Sequence, residues 1–459
     1  MTIQTAGQAA DQAGDQPAAS LPQPSSGPLE RDARALNSRH SEVAPGEIAI
    51  GVIIGRTGEF FDFFVYAIAS VLVFPALVFP YVDRLTGTTW SFAIFALGYV
   101  ARPFGTWLFT TVDRHYGRSV KLTAALFLLG TSTMALAFLP GYASIGAASA
   151  VVLGLLRIGQ GLALGGTWDG LASLLALGVP AGKRGWYAMI PQLGAPLGLL
   201  VASGLFAFFI ATLSAEDFLD WGWRYPFFVA FAINVVALFA RLRIVATPDY
   251  AELFQSRALE PSRFRETVRA EWRTVVLGAF APLASFALFH LVTVFPLSWI
   301  ALFTRQQPAR FLVIEAAGAA VCVVSIAASG LIADRIGRRT LLGVSAAAIA
   351  AFSIVAPRLL DGGEGSEVLF MLVGFVLLGL SFGQSSGAVT SNFAQRYRYT
   401  GAAITSDLAW LFGAGFAPLA ALLLASHAGL WSVGGYLLSG AVCTLAALHV
   451  NREFARRLV

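Results

Sequence analysis

Residues 330–339 read GLIADRIGRR, and residues 113–118 read DRHYGR. Both stretches are short and basic, both contain a glycine, and each lies between two long apolar runs. Their aspartates are 334 − 113 = 221 residues apart, which is close to half of the 459-residue chain. A second pair of glycine turns, at residues 184–185 and 400–401, is separated by a similar distance. The sequence therefore predicts two related halves.

The composition around these turns is that of a membrane protein. Hydrophobic residues make up 57% of the chain and charged residues 12%, whereas soluble domains average about 25% charged residues. Because so few charges cannot cover a water-facing surface of this size, the composition excludes a soluble enzyme. It also excludes a nucleic-acid-binding protein, although the net charge is +5.

Twelve apolar runs are long enough to cross a bilayer, which takes about 20 residues. The predicted spans of the first half are 48–80, 88–111, 120–139, 146–178, 185–212 and 225–242. Those of the second half are 273–300, 310–332, 340–357, 367–389, 401–425 and 429–448.

The basic residues of the loops predict the orientation. With a cytoplasmic N-terminus, the cytoplasmic side holds 23 Lys and Arg residues, counting Arg241 in the central loop, and the outer side holds five. Positive charge collects on the cytoplasmic side of membrane proteins. We therefore expect a multi-pass protein of the cell (inner or plasma) membrane with both termini in the cytoplasm.

The same pattern predicts the domain organisation. Residues 1–45 are rich in Ala, Gln, Pro, Ser and Gly and have no hydrophobic signal region, so they are predicted to be a disordered cytoplasmic tail. The expected order after this tail is an N-terminal six-helix bundle at 46–242, a cytoplasmic central loop at 243–272, a C-terminal six-helix bundle at 273–449 and a cytoplasmic tail at 450–459.

Six further stretches occur in a fixed order along the chain. They are GRTGEFFDF at 55–63, GYVARPFG at 98–105, LRIGQGLALGG at 156–166, QLGAPLG at 192–198, WGWRYPF at 221–227 and RYTGA at 398–402. In these stretches the chain resembles the metabolite:proton symporters of the major facilitator superfamily, the group of shikimate, proline/betaine, citrate and 2-oxoglutarate symporters. The chain departs from the family pattern at Thr167, where the family has Glu, and at Arg56, where it usually has Asn.

The resemblance implies an all-α membrane protein, in which twelve transmembrane helices form two pseudo-symmetric six-helix bundles. It implies a secondary active transporter of a small polar metabolite, an organic anion or a zwitterion, with proton symport by alternating access. Alternatives are an uncoupled facilitator or a proton-antiport efflux carrier of the same fold, and a non-transporting membrane sensor.

Ionisable residues within the spans are the candidate site residues, because intramembrane charge is costly and usually functional. In span one Arg56 and Glu59 are three residues apart and can meet on one helix face, and Asp62 and Tyr66 continue along the adjacent stripe. Glu59 and Asp62 are candidates to carry a proton, and Arg56 and Tyr66 to contact substrate. A static Arg56–Glu59 pair that only fixes helix packing is the alternative.

Other spans add further candidates. Arg157 and Gln160 in span four are candidates to bind a substrate carboxylate, since a guanidinium can hold it with two parallel hydrogen bonds. The remaining candidates are Asp169 and Asp407 for proton coupling, and Trp168 and His290 for substrate contact, with packing as the alternative for the last two. Glu315, near the outer end of span eight, is expected to face outer water.

The basic turns are candidate gates. A tight glycine turn lets the cytoplasmic helix ends meet, and an Asp–Arg contact can then hold the inner gate shut. The candidate gating residues are Arg102, Asp113, Arg114, Arg118, Asp334, Arg335 and Arg338.

No ATP-binding loop, metal-ligand spacing or nucleophile–base pair is found, so neither an enzyme nor a cofactor is expected. The expected partners are a small-molecule substrate, protons and the lipid bilayer, without nucleic acid, and the protein is expected to function as a monomer.

Overall fold

The structure is a computed structural model that describes residues 45–167, 181–245, 260–387 and 393–457. The first half contains α1 (Pro45–Leu72), α2 (Arg84–Tyr116), α3 (Arg118–Ala137), α4 (Ala148–Gly166), α5 (Gly194–Thr212) and α6 (Tyr225–Val245). The second half contains α7 (Phe264–Phe280), α8 (Leu283–Thr293), α9 (Phe295–Phe303), α10 (Pro308–Ile336), α11 (Arg338–Asp361), α12 (Glu364–Phe382), α13 (Arg398–Ala409), α14 (Ala417–Ala428) and α15 (Trp431–Arg457).

Short helical segments connect these helices. Four are α-helical turns, at Phe74–Leu77, Tyr142–Ile145, Arg184–Met189 and Ala215–Asp220. Five are 3₁₀ turns, at Ala181–Lys183, Ile190–Leu193, Gly222–Arg224, Ser385–Gly387 and Gln395–Tyr397. A π-helical segment, Trp410–Gly415, joins α13 to α14 within one span.

Twelve membrane crossings account for these helices, as the sequence predicts. In the described residues, eleven segments are long and apolar enough to cross a membrane. The first crossing is α1, with 28 residues. α1 is not one of the eleven, because every 18-residue stretch within it contains the three charged residues Arg56, Glu59 and Asp62. The predicted span 48–80 is too long at its end: α1 stops at Leu72, where Pro75 removes a backbone donor and interrupts the helix.

The predicted central loop is partly helical. α6 continues to Val245, and α7 begins at Phe264, inside the predicted loop 243–272. The segment from 264 to 272, FRETVRAEW, alternates charged and apolar residues at helical spacing, which is typical of a surface helix. Helical geometry breaks at Glu271, where this surface part joins the membrane-spanning part.

The two basic turns have the same backbone geometry. Gly117 separates α2 from α3, and Gly337 separates α10 from α11; each has a φ of +85°. This left-handed region favours glycine, which has no Cβ to clash. The repeat seen in the sequence is therefore also a repeat of backbone conformation.

Helix packing repeats between the halves. In the first half α1 packs on α5, α2 on α4, and α3 on α6. In the second half α7 packs on α13, α10 on α12, and α11 on α15. These are corresponding spans, so the structure has two pseudo-symmetric six-helix bundles.

Small residues allow the closest of these approaches. A Cβ added to Gly161 on α4 would lie against the carbonyl oxygen of Gly98 on α2, and one added to Gly165 would lie against that of Arg102. Glycine permits such backbone contact between membrane helices. The α2–α4 pair therefore forms a rigid support for the charged residues it carries.

Two seams join the bundles. In the first, α5 packs on α10; in the second, α2 packs on α13, the π-helical segment and α14. We call them the α5–α10 seam and the α2–α13 seam. The twofold relation between the bundles exchanges the seams, and the candidate site lies between them.

Candidate functional site

The carboxylates of α1 have different partners. Arg56 Nη1 donates to Glu59 Oε2 at 2.6 Å, the contact expected from their three-residue spacing. Arg241 on α6 donates to the other carboxylate oxygen of Glu59 and, through Nη1, to the carbonyl oxygen of Thr167 at 3.0 Å. Counting Arg241 as a loop residue was therefore wrong: it is buried in the first bundle, because Glu59 offers it a counter-charge.

Among the described residues, Asp62 is bound by neutral donors only. Thr133 Oγ1 donates to Oδ2 at 2.6 Å, Asn234 Nδ2 donates to Oδ2 at 3.3 Å, and Gln160 Nε2 donates to Oδ1 at 3.1 Å. These donors come from three helices, α3, α6 and α4. Asp62 is thus held at the centre of the first bundle, where an uncharged carboxyl group could also be accommodated.

Arg157 is a buried cation, with only 2% of its surface exposed. Its Nε donates to the carbonyl oxygen of Phe95 at 3.2 Å, and its Nη1 donates to Gln160 Oε1 at 3.1 Å. The guanidinium carbon lies 4.2 Å from the ring centroid of Tyr66 and 4.7 Å from that of Phe95. Among the described residues, no carboxylate lies within salt-bridge distance of Arg157.

Gln160 connects this cation to Asp62. Its carbonyl oxygen accepts from Arg157 while its amide nitrogen donates to Asp62. One amide group therefore bridges the cation and the carboxylate.

The second bundle adds polar contacts at the α2–α13 seam. Arg102 Nε lies 2.9 Å from Asp407 Oδ1, and the hydroxyl of Thr106 donates to the other oxygen of Asp407. Beside this pair, the hydroxyl oxygen of Tyr99 lies 2.8 Å from Nε2 of the fully buried His290. Each of these contacts links α2 to the second bundle.

A small cavity lies between these groups. Its volume is about 30 Å³, which is roughly the volume of one water molecule. Its lining residues are Arg56, Glu59, Phe60, Phe63, Gly98, Tyr99, Arg102, Arg157, Leu164 and Trp410. The space around the buried charges is therefore closed in this conformation, because aromatic side chains of the two bundles meet there.

Phe60 shows how the closure is made. Its ring lies 5.9 Å from that of Phe289, 5.8 Å from that of Trp410 and 6.2 Å from that of Phe382, measured between centroids. These three partners belong to the second bundle. Separation of the bundles would remove these contacts and enlarge the cavity.

Asp334 closes one end of the α5–α10 seam. Its two carboxylate oxygens accept from the backbone N–H groups of Gly185, at 2.6 Å, and Trp186, at 3.1 Å. The expected Asp–Arg contact was wrong here, since the partner is the backbone of the opposite bundle. Arg338 reaches the first bundle through Gln384. Its Nε donates to Gln384 Oε1 at 3.2 Å, and Gln384 Nε2 donates to the carbonyl oxygen of Gly185 at 3.0 Å.

Asp113 occupies the corresponding end of the α2–α13 seam. Its Oδ2 lies 3.2 Å from Arg118 Nη2 and 3.6 Å from Lys121 Nζ. Tyr399 of the second bundle donates to the same oxygen at 3.4 Å and accepts from Lys121 Nζ at 2.9 Å. The Asp113–Arg118 contact is the type expected from the sequence. Arg114 and Arg335 are exposed, and neither forms an ion pair among the described residues.

Glu315 contradicts the expectation that it faces outer water. It is 0% exposed, and Ser203 Oγ of α5 donates to its Oε2 at 2.9 Å. The α5–α10 seam covers it, because the two helices pack along their length. This polar contact, like that of Asp334, joins the two bundles.

Two candidates cannot be placed, and one lies off the cavity. Trp168 and Asp169 lie outside the described residues. Tyr66 is buried beneath Arg157 and does not line the cavity. Sequence reasoning missed Asn234 and Thr133; both are polar residues within apolar runs, and that signal could have identified them.

Comparisons with known proteins agree with this architecture. Residues 60–418 match the model of the Major Facilitator Superfamily. An inner membrane metabolite transport protein of Escherichia coli K12 is 35% identical over 434 residues, covering 92% of this chain and 96% of the relative. The shikimate transporter of Escherichia coli K12 is 29% identical over 415 residues, covering 87% and 92%.

A solved structure shares the fold. The xylose transporter from E. coli, in a partially occluded inward-open conformation, superposes with a TM-score of 0.68 at 15% identity, covering 89% of this chain and 97% of that one. The chain therefore belongs to the Major Facilitator Superfamily and is a multi-pass membrane transporter, not an enzyme.

Proposed function

We propose that this protein is a proton-coupled symporter of a small organic anion or zwitterion that carries a carboxylate. The observation that carries the proposal is Arg157, a buried cation at the wall of the central cavity with no carboxylate partner among the described residues. Burying an unpaired charge is costly, so a site of this kind favours a ligand that supplies the counter-charge.

A carboxylate is the ligand group that suits Arg157 best. A guanidinium can bind it through two parallel charge-assisted hydrogen bonds. Tyr99, Phe63 and Trp410, which line the same cavity, would pack against the remainder of the substrate once the bundles separate. Relatives named as shikimate and proline/betaine transporters support this substrate class, because all three compounds carry a carboxylate.

Asp62 is the proposed proton carrier. Glu59 contacts two arginines, and neutralising it would remove a carboxylate that both of them contact, so we expect it to remain an anion. Asp407 contacts Arg102 in the same way. Asp62 instead has neutral donors in the described structure, so it can be neutral without leaving a buried cation unpaired.

Gln160 would couple the two events. Protonation of Asp62 removes a negative charge close to the incoming carboxylate and weakens the hold of Asp62 on the Gln160 amide. Arg157 is then freer to exchange Gln160 for the substrate. Proton and anion would thus each favour binding of the other, which is the condition for symport.

The proposed orientation places the Asp113 and Asp334 turns in the cytoplasm, with both termini on that side. With Arg241 removed from the count, the ratio of basic residues is 23 − 1 = 22 to five, which still favours this orientation. One chain supplies both bundles and every residue of the cavity, which supports function as a monomer.

Transport by purified protein in proteoliposomes tests the proposal, with radiolabelled shikimate, 2-oxoglutarate and proline as probes. We expect an inward proton gradient to drive accumulation of at least one of them. Asp62→Asn should keep exchange of labelled for unlabelled substrate but abolish accumulation. Arg157→Gln should abolish binding of the carboxylate probe.

The alternatives give different results. An uncoupled facilitator would equilibrate the probe and ignore the gradient in the parent protein. A proton-antiport carrier would instead accumulate the probe in acid-loaded vesicles, where protons leave as the probe enters, and would expel it under an inward proton gradient. Accumulation that survives Asp62→Asn would remove Asp62 from the proton pathway.

A further inference from the structure

Glu315 is a buried carboxyl group at the boundary between the bundles. It lies on α10, is 0% exposed, and accepts one hydrogen bond, from Ser203 on α5. Its Oε1 has no hydrogen-bond partner among the described residues. A carboxyl group in this position is sealed as long as α5 and α10 remain in contact.

The helices around Glu315 offer it no cation. α5 and α9 carry no titratable side chain. On α10 itself, Arg310 is five residues earlier and pairs with Glu364 at 2.6 Å, and the thiol of Cys322 is seven residues later. Other elements packed on α10 carry ionisable side chains. α12 carries Glu367, and α11 carries Arg338, Arg339, Arg358 and Asp361. The short segments at the Asp334 end carry Lys183, Arg184 and Tyr187.

An anion with a single neutral donor is poorly stabilised in such packing. An isolated charge buried in apolar surroundings is so costly that the group takes up a proton instead. Glu315 is therefore neutral while the seam is closed. When the seam opens at this position, water reaches the carboxyl group and it can ionise.

The fold does not require a carboxyl group here. In the repeat aligned on the equivalent turn glycines, Gly117 and Gly337, the residue that corresponds to Glu315 is Phe95. Glu315 is also distant from the other polar contact of its seam, since 19 residues of continuous α-helix separate it from Asp334, or about 28 Å. The seam thus has one carboxyl group near each end, and alternating access breaks these two contacts in turn.

We propose that Glu315 is a second proton-binding site of this transporter, whose protonation holds the α5–α10 seam closed at the end opposite Asp334. The proton is taken up from the side on which this end opens, and it returns to that side when the seam reopens. Glu315 therefore biases the conformational equilibrium without carrying a proton across the membrane.

Low pH on the side where the Glu315 end of the α5–α10 seam opens should favour closure of that end. The orientation proposed above makes this the outer side; the site itself does not depend on the orientation or on proton symport by Asp62. Substrate transport without any proton coupling would leave this inference intact, and loss of the Glu315 effect would leave symport intact.

Thiol labelling of the seam tests the proposal. The protein carries Cys322→Ser, Cys443→Ser and Ala207→Cys; Ala207 is 7% exposed and lies one helical turn from Ser203 on α5. Proteoliposomes are kept at equal pH on both sides, so that no gradient is present, and are labelled with a membrane-impermeant maleimide. Each rate is divided by that of a fully exposed cysteine at the same pH, because the maleimide reacts with the thiolate. We expect this ratio to fall several-fold from about pH 8 to about pH 5 as Glu315 binds its proton.

Two variants separate the proton from the hydrogen bond. Glu315→Gln keeps the shape and a hydrogen bond but cannot ionise, so the corrected labelling rate should be low and independent of pH. Ser203→Ala removes the donor, so labelling should be faster than in the parent at each pH while still slowing in acid. Unchanged thermal unfolding in detergent establishes that the variants are folded.

Other carboxyl groups serve as controls. Glu364→Gln changes an exposed carboxylate near the same end and should leave the pH response unchanged. If Glu367→Gln alone removes the response, or Glu315→Gln retains it, the proposal is overturned. Infrared spectra of the parent at neutral pH should also contain the carbonyl band of a buried protonated acid that Glu315→Gln removes; its absence from the parent would contradict a neutral Glu315.

Discussion

Arg102 on α2 and Asp407 on α13 form an ion pair across the α2–α13 seam, with 2.9 Å between Nε and Oδ1. Both side chains are largely buried, and Trp410 lies beside the pair, with its ring centroid 5.7 Å from the guanidinium carbon. The pair borders the central cavity, which Arg102 and Trp410 both line. Closure of the bundles therefore depends on charges that neither bundle supplies alone.

Asp407→Asn should impair transport more than the double replacement does. Removing one partner of a buried pair costs about 3–5 kcal/mol, because the other charge remains uncompensated. We expect Asp407→Asn to slow exchange at least about tenfold, and Arg102→Gln with Asp407→Asn to recover part of the loss. Initial rates of counterflow measure both; independent, additive losses would show that the pair does not act as a unit.

Glu59→Gln should destabilise the folded protein. The replacement leaves Arg56 and Arg241 without the carboxylate that both contact, so we expect a loss of about 3–5 kcal/mol and a clearly lower unfolding temperature in detergent. Asp62→Asn is the matched comparison, since the partners of Asp62 in the described residues are neutral donors. Equal unfolding temperatures for the two variants would contradict the assigned charges.

Gly161→Ala should destabilise the α2–α4 contact. The new methyl group would meet the backbone of Gly98, which cannot move without displacing α2. Overpacking of this kind costs about 1–3 kcal/mol. Gly204→Ala on α5 is the control, because an added Cβ there meets no atom within 4 Å. Thermal unfolding of both proteins checks the prediction, which fails if the two substitutions have the same effect.

Gly185→Ala should hold the Asp334 end of the α5–α10 seam open. An added Cβ would lie 2.8 Å from that of Ala333 and 2.9 Å from Asp334 Oδ1. Labelling of Ser329→Cys, which is buried in the parent, should therefore accelerate in a protein lacking the native cysteines. Gly182→Ala has no atom near its added Cβ and should leave labelling unchanged. Slow labelling of Gly185→Ala would mean that the seam adapts to the methyl group.

The sequence by itself determined the membrane class, the number of spans and the two-half repeat. These properties depend on composition and on periodic apolar runs, which act locally along the chain. The glycine turns at Gly117 and Gly337 were visible for the same reason, since each is set by a few adjacent residues. The contact of Arg56 with Glu59 also followed from their spacing on one helix.

Only the tertiary structure decided which buried charges meet. Arg241 could not be assigned to Glu59 from the sequence, because 182 residues separate them and the end of α6 reads like a basic loop. Asp334 was paired with backbone N–H groups, which carry no sequence signal. Glu315 was sealed by a helix of the other bundle. Partners across helices depend on how the bundles pack and close, and no local pattern contains that information.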